Sequence, residues 1–293
     1  MAKIFSISNQ KGGVGKTTTA VNVAAFSALN QVRTLIIDCD PQGNSTSGIG
    51  IDKNTLISTT YDVIINGISP TETILESSIP NLFIMPSNPS LAAAEIELIG
   101  AEEREFVLKK AISTIQNNFD AIIIDCPPSL GLLTINALAA SEFLIIPLQC
   151  EYYALEGLGQ LLDTFKLVKE NLNPALEIGG VVLTMADFRT NLTQQVIEEV
   201  KNYFGEKTFK TIVPRSVKVS EAPSFGKPII LYDPSSKGSK AYREVGAEFL
   251  EKFNLKGNSK NKLQPSQTES TETISEESSH IETIAEPTEK VEG

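Results

Sequence analysis

The chain has 293 residues, 41% of them hydrophobic, which is enough to bury the core of one large α/β domain. No run of about eighteen apolar residues is present, and the first residues enter a predicted strand directly, so we expect neither a membrane span nor a cleavable signal sequence. The three cysteines, Cys39, Cys126 and Cys150, each follow a predicted strand, which favours small buried side chains over disulfides or a zinc site. These features predict a cytoplasmic protein.

The formal charge of −11 is concentrated at the C-terminus. From residue 263 onward there are eight Glu and one Lys, a net charge of −7, so the preceding part carries −4. A segment dominated by Ser, Thr, Glu and Pro cannot bury enough apolar surface to offset its conformational entropy. We predict a folded domain over residues 1–254 and a disordered acidic tail over residues 255–293. The only histidine, His280, lies in that tail, so any general base is a carboxylate or a positioned water.

A glycine-rich loop with two lysines joins the first predicted strand to the first predicted helix. Its residues are Lys11, Gly12, Gly13, Val14, Gly15, Lys16, Thr17 and Thr18. A phosphate-binding loop normally has Gly, four residues and Gly-Lys-Ser/Thr; here Gln10 replaces the first glycine and Lys11 is added. Backbone N–H groups and the helix dipole favour a phosphate at such a helix start. The pattern predicts Lys16 at the β- and γ-phosphates and the Thr17 hydroxyl on Mg²⁺. A glycine-rich turn with unrelated lysines is the alternative.

The remaining chain alternates predicted strands and helices. Strands are predicted at 3–9, 33–38, 82–86, 120–125, 142–147, 177–184 and 208–213, and a final helix at 241–253. Residues 121–124 and 143–146 are apolar throughout, which is typical of strands covered on both faces. We predict an α/β fold with a doubly wound, mainly parallel sheet and helices on both faces. Ligands bind such sheets beyond the carboxyl ends of the strands.

Acidic residues follow two of these strands. Asp125 ends an apolar strand, as does the acid that P-loop NTPases use to hold Mg²⁺ through water. Asp38 and Asp40 lie two residues apart, so in an extended segment both side chains would point toward the phosphates. The alternative is turn punctuation by the Asp-Pro and Pro-Pro pairs. Together with the loop, these acids predict a nucleotide site whose Mg²⁺ ligands are Thr17, Asp40 and Asp125.

Five segments resemble a known family. The two-lysine loop, residues 38–44 (Asp-Cys-Asp-Pro-Gln-Gly-Asn) and residues 123–131 (Ile-Ile-Asp-Cys-Pro-Pro-Ser-Leu-Gly) resemble the deviant Walker A ATPases of the ParA/Soj/MinD group. Residues 149–157 and 220–228 resemble the ParA/Soj branch. The resemblance covers about residues 1–252 and excludes the tail. The absence of an extra N-terminal domain disfavours the self-regulating plasmid type with a helix-turn-helix.

The resemblance implies ATP and Mg²⁺ as cofactors and gives each loop residue a role. Lys16 and Thr17 would hold the β/γ-phosphates and Mg²⁺, and Thr18 would contact the α-phosphate. Lys11 would reach the partner's ATP in a face-to-face dimer, and Gly12 would allow the two loops to approach. The implied catalytic residues are Lys11, Lys16, Asp40 and Asp125, with Asp40 positioning or deprotonating the attacking water. Outside the loop, Pro214 and Arg215 would flank the adenine, and Glu151 would lie near the dimer interface.

The resemblance also implies partners. The expected protein is a weak ATPase and ATP-dependent homodimer that binds double-stranded DNA non-specifically near the nucleoid and segregates a chromosome or plasmid. A ParB-type centromere-binding protein would stimulate it through a basic N-terminal segment. Because the part of the chain before residue 263 carries a net charge of −4, DNA binding would need a local basic patch. The candidates are Arg189, Arg215, Lys218, Lys227, Lys237 and Lys240. Arg189 precedes the predicted helix 192–204, whose N-terminus favours phosphate.

Four alternatives stay open from the sequence. A MinD-like membrane-cycling ATPase needs a basic amphipathic C-terminal helix, and the acidic end of this chain argues against a membrane partner. A cargo-positioning ATPase of the same group would share the nucleotide site. A metal-cluster reductase of the same fold would need cysteines at a dimer interface, which the spacing does not suggest. A non-enzymatic nucleotide sensor would result if Asp40 were badly placed.

Overall fold

The computed structural model describes residues 1–151 and 156–257. Its seven strands are β1 (Lys3–Ile7), β2 (Thr34–Asp38), β3 (Leu75–Glu76), β4 (Leu82–Met85), β5 (Ala121–Asp125), β6 (Phe143–Gln149) and β7 (Glu177–Thr184). They form one sheet in the order β3-β4-β2-β5-β1-β6-β7. All pairings are parallel except that of β3 with β4. The prediction of a mainly parallel sheet is confirmed.

Helices connect the strands. They are α1 (Lys16–Leu29), α2 (Asn44–Gly48), α3 (Thr60–Ile65), α4 (Pro70–Thr73), α5 (Ala94–Glu97), α6 (Val107–Ser113), α7 (Leu132–Ala140), α8 (Glu156–Asn171), α9 (Asn191–Phe204), α10 (Val217–Glu221), α11 (Ile229–Tyr232) and α12 (Lys237–Lys252). Short 3₁₀ turns lie at Lys53–Thr55, Pro89–Ala93, Leu98–Gly100, Gln116–Asn118, Gly205–Lys207 and Ala222–Phe225. None of the helices in the described part of the chain is both long and apolar enough to cross a membrane.

Helices cover both faces of the sheet, because successive strand residues point to opposite sides. Ile36 packs with α1 and α12 on one face, whereas its neighbours Leu35 and Ile37 pack with α6 and α7 on the other. At the other end of the sheet, Leu144 and Ile146 pack with α8 and α9. This two-sided burial explains the apolar strands, and it confirms the doubly wound fold. The three cysteines are buried, as expected.

The predicted strand at 208–213 is wrong. This segment runs beside β7 and makes isolated parallel bridges, with Phe209 N–H donating to the Val181 carbonyl at 2.9 Å. Its next two N–H groups, of Lys210 and Thr211, donate to the Glu248 carboxylate of α12 at 2.7 and 2.8 Å. The Glu248 carboxylate therefore takes two N–H groups that a strand would pair with backbone carbonyls, and the hydrogen-bond ladder with β7 is interrupted. The two-residue strand β3 was not predicted, because a pair of residues carries no detectable alternation.

The final helix begins one turn earlier than the predicted 241–253. Ser236 caps α12, its hydroxyl accepting from the Ser239 N–H at 3.2 Å. Residues 258–293, which hold most of the predicted tail, lie outside the described residues, so the boundary at residue 254 stays a prediction.

Candidate nucleotide site

The glycine-rich loop lies between β1 and α1, at the carboxyl edge of the sheet. Gly13 (φ 73°) and Gly15 (φ 90°) adopt the left-handed conformation, which side chains with a Cβ disfavour. Two buried side chains hold the loop from outside it. Asn9 accepts from the Lys11 N–H at 3.0 Å, and the Thr184 hydroxyl donates to the Val14 carbonyl at 2.8 Å. The loop is therefore preorganised, and the first N–H groups of α1, which have no intrahelical acceptors at a helix N-terminus, can receive an anion.

Lys16 is directed into the loop. Its side chain is buried, and its ammonium donates to the Lys11 carbonyl at 3.3 Å. Burial lowers the pKa of Lys16 from its ordinary value, while the nearby carboxylates of Asp125 and Asp40 raise it. A cation that is desolvated in this way gains most when a phosphate replaces the missing water.

The two acidic strands are neighbours, and Asp38 lies opposite Asp125 in their register. Asp38 is fully buried and accepts from the Thr46 N–H at 2.8 Å and from the Thr46 hydroxyl at 2.7 Å. Asp125 is also fully buried: its Oδ2 accepts from the Ser45 hydroxyl at 2.7 Å, and its Oδ1 has no partner within the described residues. Asp38 thus anchors the start of α2, whereas Asp125 keeps one carboxylate oxygen available for a ligand.

The pairing of two buried carboxylates perturbs their ionisation. Burial is the main cause that raises the pKa of Asp125 to about 7, and the neighbouring Asp38 adds to this rise, whereas the Ser45 hydrogen bond and the nearby Thr17 hydroxyl oppose it. Burial raises the pKa of Asp38 to about 6, and its bonds from Thr46 oppose the rise. A bound cation at this position would restore both carboxylates to their charged form.

The residues present fit Mg²⁺ bound together with a nucleotide. Asp40 is buried, its Oδ1 accepts from the Gln42 N–H at 2.9 Å, and it lies close enough to Lys16 for its charge to raise the pKa of that lysine. Within residues 1–151 and 156–257, no group of three His, Cys, Asp or Glu side chains could hold a metal by itself. Mg²⁺ typically takes one or two carboxylates and completes its octahedron with water and phosphate oxygens. Asp125 and the Thr17 hydroxyl suit that incomplete set.

The Lys11 side chain contacts a residue outside its own loop. Its ammonium lies 3.5 Å from Glu151 Oε2, and Arg215 lies 3.0 Å from Glu151 Oε1. Gln149 also donates to Glu151, at 2.5 Å. One carboxylate thus holds two of the predicted functional cations, Lys11 and Arg215. Both ion pairs are partly exposed, so each contributes about 0–1 kcal/mol and can be exchanged for another anion.

Comparison with known proteins places this geometry in a family. The family model of the AAA domain matches residues 2–178. The chain is 55% identical to the sporulation initiation inhibitor protein Soj of Bacillus subtilis over 248 residues, which cover 85% of this chain and 98% of that protein. It is 52% identical to the chromosome partitioning protein ParA of Myxococcus xanthus, covering 86% and 89% of the two chains. The chain belongs to the Soj/ParA family of partition ATPases.

A solved structure shares the fold of this Soj/ParA chain. It is described as a cobyrinic acid a,c-diamide synthase from Mycobacterium smegmatis with bound ADP and magnesium. The TM-score is 0.76 at 34% identity, and the match covers 87% of this chain and 96% of that one. The family membership and the shared fold confirm the resemblance that the sequence motifs suggested.

Two cavities adjoin the start of α1 in this Soj/ParA chain. One, of about 70 Å³, is lined by Gly15, Thr18, Thr184, Met185, Pro214, Arg215 and Tyr242, among others. The structure therefore brings the predicted adenine residues Pro214 and Arg215 to the loop. The other cavity, of about 200 Å³, is lined by α1, α2 and residues 219–229, including Lys227. Lys227, predicted as a DNA contact, lines the same cavity as Thr17 and Thr18.

The remaining DNA candidates differ in how free their charges are. Arg189 makes a two-pronged ion pair with Asp187 (2.6 and 2.8 Å), which lowers the pKa of Asp187 to about 2, and Thr190 rather than Arg189 caps α9. Lys218 pairs with Glu221 at 2.8 Å. Lys227, Lys237 and Lys240 are exposed and make no ion pair with any other described residue. Three of the candidates therefore have no competing carboxylate among the residues that the structure describes.

Several residues of the site were not predicted. Ser45 and Thr46 follow the acidic motif directly, and their hydroxyls hold Asp125 and Asp38. They could have been inferred from their position beside the acids. Thr184 and Tyr242, which lie against the loop from β7 and α12, have no local sequence signal, since only the fold brings them to Gly15.

Proposed function

We propose that this chain is an ATP-dependent dimerising ATPase that binds duplex DNA without sequence specificity and partitions a chromosome or plasmid with a ParB-type partner. The observation that carries the proposal is the position of Lys11. It lies on the phosphate loop, yet its ammonium contacts Glu151 and leaves the loop to Lys16. A second cation beside a complete phosphate site is suited to a nucleotide bound by another subunit.

The site supports ATP hydrolysis through positioning and charge. Lys16 and the loop N–H groups would bind the β- and γ-phosphates, and Thr17 with Asp125 would hold Mg²⁺, which neutralises charge on the phosphates. Asp40 would orient the attacking water and take its proton. Phosphoryl transfer needs mainly such orientation and charge stabilisation, so the Asp40 carboxylate can serve as the general base in place of a histidine.

Dimerisation would couple to ATP through Lys11. A cation from the partner stabilises charge on the γ-phosphate only when the dimer forms, so ATP binding and association reinforce each other. Gly12 supports this assignment: its φ is not in the left-handed region, and a Cβ there would meet no atom within 4 Å. The described part of the chain does not itself require glycine at this position, whereas the close approach of a second loop would.

DNA binding would use the C-terminal basic segment. Residues 215–240 contain five Lys or Arg and two Asp or Glu, a net charge of +3 in a chain of −11. Lys237 and Lys240 lie in the first turn of α12, where the helix dipole adds to their positive potential. Contacts to phosphates alone carry no sequence information, so binding would be non-specific and would weaken steeply with salt.

The first experiment measures binding of a random-sequence duplex with ATP, ADP or no nucleotide at two salt concentrations, with mass recorded in parallel. We expect tight binding only with ATP, accompanied by dimer mass and lost at high salt. Adding a ParB-type protein should raise phosphate release. An ATP dimer that ignores DNA would instead favour a cargo-positioning relative.

The variant that tests the dimer is Lys11→Ala. Because Lys16 and Asp125 hold the nucleotide within one subunit, the variant should still bind ATP, but as a monomer, and its phosphate release should fall at least tenfold. Lys110→Ala is the matched control, since Lys110 is an exposed lysine that also pairs with a carboxylate, Glu103, but it lies outside the nucleotide site, and this variant should keep the ATP-dependent dimer. A Lys11→Ala protein that doubles its mass with ATP would refute the assignment.

A further inference from the structure

A segment of residues 216–229, here named the strap, joins the edge of the sheet to α2. At one end, the Arg215 N–H donates to the Ala186 carbonyl beside β7 at 3.0 Å. At the other end, Gly226 (φ 60°) lies against Gly50, so closely that a Cβ on Gly226 would be 2.7 Å from the Gly50 Cα. Both ends of the strap are therefore fixed to the body of the domain.

The strap presents an aromatic ring to solvent. Phe225 is 62% exposed, and its ring stacks on Tyr232 with centroids 4.8 Å apart and an interplanar angle of 27°. The Tyr232 hydroxyl donates to Glu221 at 3.3 Å, and Glu221 pairs with Lys218. Phe225 is thus held in one orientation although most of its surface is in water. A large, rigid, exposed aromatic side chain is typical of a binding surface.

Cations lie on the same segment as this ring and on the helix that packs against the segment. Lys227 follows Phe225 by two residues, and the Lys218 ammonium lies 5.9 Å from the Tyr232 ring. The first turn of α12, which carries Lys237 and Lys240, packs on the strap through Gly238 and Val219. The apolar part is small, with Val217 as the other large exposed side chain of the strap. One exposed ring among several lysines fits a polyanion with an apolar interior, such as duplex DNA. The exposed apolar area of the strap is far smaller than the face with which an amphipathic helix enters a membrane.

We propose that Phe225 is a wedge that enters the minor groove of duplex DNA, while Lys227, Lys237 and Lys240 bind the flanking phosphates. The inference rests on the DNA binding proposed above and specifies how that binding occurs. Proteins that bind the minor groove commonly insert an apolar side chain between base steps and hold the kinked duplex through neighbouring cations. The Tyr232 stack fixes the ring beforehand, so insertion costs little side-chain entropy. Flexible pyrimidine–purine steps should accept the wedge most readily.

The salt dependence of binding separates the wedge from the phosphate contacts. The affinity of the ATP form for a random duplex is measured over a range of salt for wild type, Phe225→Ala and Lys227→Ala. Phe225→Ala should weaken binding roughly tenfold at every salt concentration with an unchanged slope, because it removes stacking and no charge. Lys227→Ala should reduce the slope by about 1. Phe225→Leu should retain most of the affinity, since leucine also serves as a wedge.

Tyr203→Ala is the matched control. Tyr203 is 70% exposed and also packs on a neighbouring aromatic ring, Phe204, but it lies on α9, which covers the opposite face of the sheet from the strap. It should leave both affinity and slope unchanged. Thermal unfolding should show that all variants are folded, because each changes an exposed side chain.

A second readout observes the insertion itself. A duplex with 2-aminopurine at a TA step should become more fluorescent with the wild-type ATP form, and this rise should be absent with Phe225→Ala. Wild-type affinity in Phe225→Ala would overturn the wedge and leave DNA binding by the strap intact. Loss of ATP-driven dimer mass in Phe225→Ala would also overturn it, since Phe225 would then contact a second copy. Wild-type protein that binds no DNA would overturn the proposed DNA binding as well.

Discussion

Asp125 is buried away from water, whereas its proposed role as a Mg²⁺ ligand requires a charged carboxylate. It is fully buried opposite Asp38, and one of its oxygens has no partner among the described residues. Its pKa of about 7 in the folded chain lies above the ordinary value of 3.8. The folded state therefore binds this proton more tightly than the unfolded state does. Asp125 therefore makes its full contribution to the free energy of unfolding below about pH 4, and this contribution is lost as the pH rises to about 7.

Asp125→Asn should therefore stabilise the nucleotide-free protein at pH 8, by about 1–3 kcal/mol. The asparagine oxygen can still accept from Ser45, and no charge is left buried beside Asp38. The same variant should lose Mg²⁺-dependent phosphate release, because an amide does not replace the carboxylate. Urea unfolding at pH 5 and pH 8 measures the first effect, and the gain should be smaller at pH 5.

Ser45→Ala provides the control for this pair of effects. It removes a hydrogen bond to Asp125 and keeps the buried charge, so it should destabilise the nucleotide-free protein at pH 8. Equal stability of Asp125→Asn and wild type across this pH range would show that the carboxylate is not a source of strain in the folded state.

At the scale of elements, the contact between α2 and the strap connects the nucleotide site to the basic segment of residues 215–240. α2 begins four residues after Asp40, and its hydroxyls hold Asp38 and Asp125. The chain that follows α2 meets the strap at Gly50 and Gly226, backbone against backbone. A shift of α2 on nucleotide binding would reach the strap directly, since no flexible side chain lies between them.

Gly226→Ala should disrupt this contact. The left-handed φ of 60° costs about 1 kcal/mol for alanine, and the new Cβ would lie against Gly50 backbone that cannot rotate away. We expect a loss of about 2–4 kcal/mol in the free energy of unfolding and weaker DNA binding by the ATP form. Gly67→Ala is the control: Gly67 has φ 66° with no atom within 4 Å of the added Cβ, so it carries the backbone cost alone. Equal urea midpoints for the two variants would show that the contact is not tight.

The sequence predicted the elements whose signal is local. The loop from Lys11 to Thr18 and the apolar strands ending at Asp38 and Asp125 carry their pattern within a few residues, and the structure places them at one edge of the sheet. The segment 208–213 was misassigned because its apolar residues do reach the core, while two of its N–H groups, those of Lys210 and Thr211, donate to Glu248, which is distant in sequence. The contact of Lys11 with Glu151 also spans 140 residues, and no local pattern indicates it.

At the scale of the whole molecule, the distribution of charge decides how DNA could be approached. The chain carries −11, of which −7 belongs to residues 263–293, whereas residues 215–240 carry +3. Long-range attraction depends on the summed field, and the field of a negative chain opposes the basic segment at low ionic strength. At about 0.15 M salt the Debye length is about 8 Å, so only charges close to the bound phosphates still act.

Removing residues 263–293 should therefore raise the DNA affinity of the ATP form at low salt, and the gain should shrink as salt is added. The truncated chain carries −4, so its association rate should account for most of the change, because electrostatic steering acts before contact. A full-length chain with the eight Glu of this segment replaced by Gln separates charge from length, and it should behave like the truncation. Stopped-flow association and equilibrium titration at several salt concentrations measure both effects. Identical salt curves for the three chains would show that the acidic segment does not act on DNA through its charge.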